Sequence, residues 1–146
     1  MNISAAMTRD VIVVSVSVHL DAAVRIMEKN HVRHLPVVRD GLLVGILSDR
    51  DLLPRKGRDL EITCADAMTE AVVTCSPSAT VGRVAEMMLV NRVDSIPVVD
   101  ERQHLVGLVT STDLIGLLVA QAQPQALPFH YRLRVDQGDA DLDAIA

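Results

Sequence analysis

Aromatic residues are nearly missing from this chain: one Phe, one Tyr and no Trp stand among 146 residues. A core must therefore be assembled from Val, Leu, Ile, Ala and Met, which suits helices packed on short strands. No apolar run approaches the ~18 residues that a membrane-spanning helix needs, so a membrane partner is not expected. Met1-Asn2-Ile3-Ser4 opens without a basic stretch ahead of an apolar one, so no secretion signal is expected either. Cysteine is scarce. Cys64 and Cys75 lie in different contexts with no metal-ligand spacing, which excludes a disulfide framework and makes a reducing cytoplasm the expected location. Positive charge is not in excess: the formal net charge is −5, with acids and bases interspersed up to an acidic tail. Phosphate-backbone binding needs a basic face, so nucleic acid is excluded as the main partner. A small anion, which needs only local positive charge, is not. What the chain does have is hydrophobic residues, 49% of the total, too many for a disordered polymer.

Self-similarity sets the architecture. A shift of 61 positions lays Met7-Thr8 on Met68-Thr69, Ser15 on Ser76, Met27 on Met88 and Pro36-Val37-Val38 on Pro97-Val98-Val99. One extra residue then enters a turn, after which Leu43-Val44-Gly45 matches Leu105-Val106-Gly107, and Asp51-Leu52 matches Asp113-Leu114. So many ordered matches with a single one-residue gap make the chain a tandem duplication.

Each unit reads as βαββα. Val11–Val14 and Val72–Cys75 are short runs suited to a buried strand. Leu20, Ala23, Val24 and Met27, and Val81, Val84, Ala85 and Met88, follow the i, i+3, i+4, i+7 stripe of an amphipathic helix. A Pro-containing strand follows each helix, at Leu35-Pro36-Val37-Val38 and Ile96-Pro97-Val98-Val99. A hairpin through Arg39-Asp40-Gly41, one residue longer in the second unit, leads to Leu42–Leu47 or Leu105–Val109. A further helix starts near Ser48 or Thr110, and Pro54 stops the first of these early. Residues 54–65 form the linker. A unit of ~50 residues buries too little surface to stand alone, so the two should pack face to face with pseudo-twofold symmetry into one α/β (α+β) module. The expected division is 1–60, 61–122 and an arm, 123–146. In that arm Phe129, Tyr131, Leu133 and Val135 alternate with polar residues, as in an edge strand.

Taken together, Met-Thr, strand, amphipathic helix, Leu/Ile-Pro-Val-Val, hairpin, Leu-Val-Gly and Ser/Thr-x-x-Asp resemble the CBS domain, named after cystathionine β-synthase. Two in tandem resemble a Bateman module. The resemblance covers roughly residues 5–120. It implies a stand-alone regulatory pair that binds an adenine nucleotide, AMP, ADP or ATP ahead of S-adenosylmethionine or NAD, with no required cofactor. It also implies a homodimer and an unknown effector protein.

The chemistry candidates are Gly45-Ile46-Leu47-Ser48-Asp49-Arg50-Asp51 and Gly107-Leu108-Val109-Thr110-Ser111-Thr112-Asp113. Each sets a hydroxyl and a carboxylate, Ser48 with Asp51 and Thr110 with Asp113, where a strand becomes a helix. Free N–H groups there suit a phosphate, and an ionised Asp accepts two hydrogen bonds from a ribose diol. The strands at Pro36 and Pro97 offer apolar walls for adenine. Ser/Thr-x-x-Asp is also close to a helix capping box, and one hydroxyl can serve both roles. The family resemblance adds Thr8 and Val13, with Thr69 and Thr74, as an adenine-edge segment.

The units differ in charge. Unit one carries Arg50 in its motif and Arg33-His34 before its Pro-Val-Val strand, where unit two has Thr112 and Asp94-Ser95. A guanidinium clasps phosphate through parallel bonds and a carboxylate repels it, so unit one's motif is expected to take the more phosphate-rich ligand. The resemblance implies that both repeats line each cleft, which would add Arg92. His31 and His34 have neither Cys nor clustered acids beside them, and no metal is expected. No Ser-His-Asp or Cys-His arrangement is evident, so an enzyme is not expected. A ligand-sensing module leads; a ligand-free interaction module with purely structural motifs is the alternative.

Overall fold

The computed structural model describes residues 1–52 and 62–121. The basic linker Arg55-Lys56-Gly57-Arg58, Pro54 and the alternating arm at Phe129–Val135 lie outside the described residues. A 3-10 turn at Ile3–Ala5 comes first, then β1 (Val14–Ser15), α1 (Leu20–Asn30), β2 (His34–Arg39), β3 (Leu42–Ser48) and α2 (Asp49–Leu52). The second half runs α3 (Cys64–Ala67), α4 (Val81–Asn91), β4 (Ser95–Val99), β5 (Leu105–Thr110) and α5 (Ser111–Gln121). Among the described residues no helix is long and apolar enough to cross a membrane.

The duplication is visible in the register. β2 and β3 are antiparallel with Val37 opposite Gly45; β4 and β5 are antiparallel with Val98 opposite Gly107. Both hairpins shift register at the same point, Val37/Val38 and Val98/Val99. β1 adds in parallel through Val14 and Val37, and its counterpart is a lone parallel bridge from Cys75 to Val98. The expected strands at 11–14 and 72–75 are thus cut down to their last residues. Their earlier residues turn away from the sheet to face the clefts described below. In the first hairpin Asp40 and Gly41 both take positive φ, 52° and 79°, the mirror-image turn that a two-residue connection requires.

On α1 the buried residues are Leu20, Ala23 and Met27; on α4 they are Val84 and Met88. Both helices end on a left-handed residue at equivalent positions, His31 (φ 52°) and Arg92 (φ 54°). Those two turns aim the segments 31–34 and 92–95 along the boundary between the repeats.

The repeats exchange their leading segments. Ile3 and Met7 are buried in the second core with Val84, Met88, Ile96, Val98 and Val109. Cys64 is buried in the first core with Leu20, Ala23, Met27, Leu35, Val37 and Leu47, with Ala67 and Met68 packed against it. Thr8 exchanges backbone hydrogen bonds of 2.8 and 2.9 Å with Leu108, and Thr69 exchanges bonds of 2.9 and 3.0 Å with Ile46. The matched glycines allow this approach. A Cβ at Gly45 would run into Met68 and lie 3.1 Å from the Thr69 carbonyl; one at Gly107 would run into Met7 and lie 3.0 Å from the Thr8 carbonyl. Met-Thr and Gly recur in the sequence because each touches the other across the repeats. Cys64 and Cys75 are free thiols, and burial pushes both up from their ordinary pKa, which makes them poor nucleophiles.

Candidate functional site

The hairpins bring each Ser/Thr-x-x-Asp motif to a strand-to-helix junction beside the boundary between repeats. At the first, Asp51 Oδ2 accepts from the Ser48 N–H at 2.7 Å and from its hydroxyl at 3.1 Å. At the second, Asp113 Oδ2 accepts from the Thr110 N–H at 2.8 Å and from its hydroxyl at 3.0 Å, while the Asp113 N–H donates to Thr110 Oγ1 at 3.3 Å. The capping reading is therefore real: both carboxylates hold the first turn of a helix. The next helical N–H in each repeat is also engaged, Asp49 to the Arg33 carbonyl and Ser111 to the Asp94 carbonyl, both at 2.9 Å.

Each motif opens onto a cleft. The Ser48 cleft, about 180 Å³, is bounded by Ser48, Asp49, Arg50 and Asp51, by Thr69, Ala71, Val72 and Val73, and by Arg92 to Ser95. The Thr110 cleft, about 290 Å³, is bounded by Thr110 to Asp113, by Thr8, Asp10, Val11 and Ile12, and by His31 to His34. These are the same places in the two repeats, related by the duplication. In both, the motif comes from one repeat and the residues after the long helix come from the other.

Most of the residues singled out in the sequence converge here. Ser48, Arg50, Asp51 and Thr69 meet in one cleft; Thr8, Arg33, Thr110 and Asp113 meet in the other; His34 borders both. Four lie elsewhere. Pro36 and Pro97 are fully buried within their strands and line neither cleft. Val13, 38% exposed, borders a separate hollow with Arg9, Val38 and Leu105. Thr74 lines neither cleft. The apolar walls are formed instead by Val11 and Ile12 and by Val72 and Val73.

The grouping of Arg33 with Arg50 needs correction. The segment that leads into β2 faces the other repeat's motif, so Arg33 serves the Thr110 cleft, and Arg92 joins Arg50 in the Ser48 cleft. The Ser48 cleft still has two guanidiniums to the other's one. Asp10, His31 and Ser95 were not anticipated as site residues. For two of them the duplication carried the signal, since His31 and Ser95 occupy positions equivalent to Arg92 and His34; Asp10, equivalent to Ala71, had no such pointer.

Two polar features stand out between the motifs. His34 Nε2 lies 2.9 Å from Asp94 Oδ1, an ion pair that joins the repeats when the imidazole is protonated. Ser95 Oγ, at the head of β4, is buried without a hydrogen-bond partner, alone in this among the side-chain polar atoms of the described residues.

The CBS domain family model matches this chain twice, over residues 3–56 and 64–120. The chain belongs to the CBS-domain family. It is a tandem pair of α+β repeats, and its solved neighbours are CBS pairs. The CBS domain pair of protein MJ0100, solved with 5′-methylthioadenosine and S-adenosyl-L-methionine, superposes with a TM-score of 0.78 at 28% identity, over 84% of this chain and 98% of that one. CBSX2, solved in complex with AMP, gives 0.76 at 26% identity, over 82% and 96%. In sequence, a CBS domain-containing protein of Dictyostelium discoideum is 33% identical over 132 residues, 81% of this chain and 91% of its own length. Inosine-5′-monophosphate dehydrogenase of Thermoplasma acidophilum is 35% identical over 108 residues, 73% of this chain. The match spans only 21% of that enzyme's length.

Proposed function

We propose that this CBS pair is a regulatory module that binds an adenine nucleotide, AMP, ADP or ATP, in its clefts and signals the occupancy to a separate protein. One observation carries the reading: a hydroxyl and a carboxylate recur at equivalent points of two clefts that also hold arginines. Among the described residues each carboxylate uses Oδ2 for capping, which leaves Oδ1 for the ribose diol. Val11 with Ile12, and Val72 with Val73, flank the base, and Arg50 with Arg92 receives phosphate in the Ser48 cleft. Solved relatives support the ligand class, since one holds AMP and another holds two adenosine sulfur compounds. At 180 and 290 Å³ the clefts lie at or below the lower end for small-molecule sites, so a bound nucleotide would project into solvent. The signal would be differential affinity for two packings of the module or its dimer. Catalysis is no part of the proposal.

A homodimer belongs to the same reading. Leu89 and Val90 on α4 and Ile115, Leu118 and Val119 on α5 are 60–81% exposed, while the positions on α1 equivalent to Leu89 and Val90 carry Glu28 and Lys29. Among the described residues these exposed apolar side chains cluster on helices of one repeat, which suits a second copy of the chain.

A ligand-free interaction module is the second reading, favoured by the mutual satisfaction of hydroxyl and carboxylate in both motifs. Thermal unfolding with AMP, ADP, ATP, S-adenosylmethionine and NAD decides between them. Ligand at ~100 times its dissociation constant stabilises by about 2.7 kcal/mol, a shift of several degrees. A shift for an adenine nucleotide supports the sensor; no shift with any of them leaves the interaction module.

A further inference from the structure

A single side-chain pair stands between the two clefts. His34 and Asp94 each border both, and they meet at 2.9 Å with His34 only 14% exposed and Asp94 42%. Resting on the nucleotide reading above, we propose that this pair couples the clefts, so that an anionic ligand in one weakens the binding of a second anion in the other.

The argument is one of competition for a single nitrogen. Nε2 of His34 has one in-plane hydrogen-bonding position, and Asp94 occupies it. A phosphate entering either cleft meets the same imidazole and competes with that carboxylate. Where the phosphate wins, Asp94 loses its partner, and its charge confronts the remaining cleft at close range. The second anion must then enter against a bare carboxylate.

The clefts' own charges set the order of filling. Apart from the shared pair, the Ser48 cleft sets two guanidiniums, Arg50 and Arg92, against Asp49 and Asp51, whereas the Thr110 cleft sets only one, Arg33, beside the imidazole of His31, against Asp10 and Asp113. Ser95 also borders the Ser48 cleft, its hydroxyl buried just behind the surface without a partner, a group that gains from any ligand oxygen able to reach it. The Ser48 cleft fills first, and the Thr110 cleft feels the released Asp94. Linkage makes the effect reciprocal.

Calorimetric titration with AMP tests this on the full chain. The Ser48 cleft is plugged without changing charge by Ala71→Trp, with Ala71→Phe as a smaller plug should the indole disturb folding. The expected result is that the second AMP binds the wild type about tenfold more weakly than the single AMP binds the plugged protein, within the usual range of coupling between sites. Asp94→Asn, which keeps an acceptor for His34 but no charge, should erase that difference. Equal affinity of the Thr110 cleft in wild-type and plugged proteins would overturn the coupling while leaving nucleotide binding intact. Absence of AMP heat in the wild type would remove the nucleotide reading and the coupling together.

Discussion

Asp51 and Asp113 each do one job that is visible and, in our proposal, a second. Oδ2 of either carboxylate fixes a helix start through the N–H and hydroxyl three residues earlier. Losing such a cap costs about 0.5–2 kcal/mol, so alanine at either position lowers stability even without ligand. Ser95 separates the two roles better. Its buried hydroxyl has no partner, and an unsatisfied buried polar group carries a penalty of about 1–3 kcal/mol. Ser95→Ala should therefore leave the free protein as stable as the wild type or more so, while reducing the nucleotide-induced rise in melting temperature. Unfolding curves with and without ATP check both halves. The motif residues were legible in the sequence because they are local and occur twice. Ser95 was not, since nothing in a sequence reports that a hydroxyl lacks a partner.

Among the elements, the exchange of leading segments ties the repeats together. Each core is completed by a segment of the other repeat, Ile3 and Met7 in one and Cys64 in the other. The contact relies on Gly107 and Gly45 lying flat beneath Met7 and Met68. Gly107→Ala forces Met7 and the Thr8 strand bridge outward, and overpacking of this kind costs about 1–3 kcal/mol. Urea unfolding should show that loss, with Gly82→Ala, whose Cβ meets nothing within 4 Å, showing none of this strain. The long helices and the hairpins followed from the 3.6-residue stripe and the Pro-Val-Val strands, whereas the short α3, with Cys64 in the first core, begins where the linker was expected. The crossing of the segments did not, because contacts between distant residues leave no period in the chain. The same crossing precedes the shortened strands at Val11–Val14 and Val72–Cys75, while the left-handed turn at His31 aims Arg33 at the other repeat's motif, away from Arg50.

At the scale of the molecule, duplication yields two equivalent clefts, and divergence gives them different charges. The pseudo-twofold packing followed from the size of the repeats, and both clefts sit on the boundary it creates. The exposed apolar positions Leu89 and Val90 of α4 have diverged as well, from Glu28 and Lys29 in α1. Leu118→Glu, at a residue 69% exposed in the monomer, should leave the fold intact and halve the mass measured by light scattering. A wild type that is already monomeric would remove the dimer from the account. The proposal that matters most is that the clefts hold adenine nucleotide through the two motifs. Equilibrium dialysis with radiolabelled AMP and ATP measures this directly, on the wild type and on a Ser48→Ala, Asp51→Ala, Thr110→Ala, Asp113→Ala variant whose circular dichroism shows it folded. The account predicts saturable binding of no more than two nucleotides per chain, lost in the variant. Binding that persists undiminished in the variant, or no binding of either nucleotide to the wild type, would contradict it.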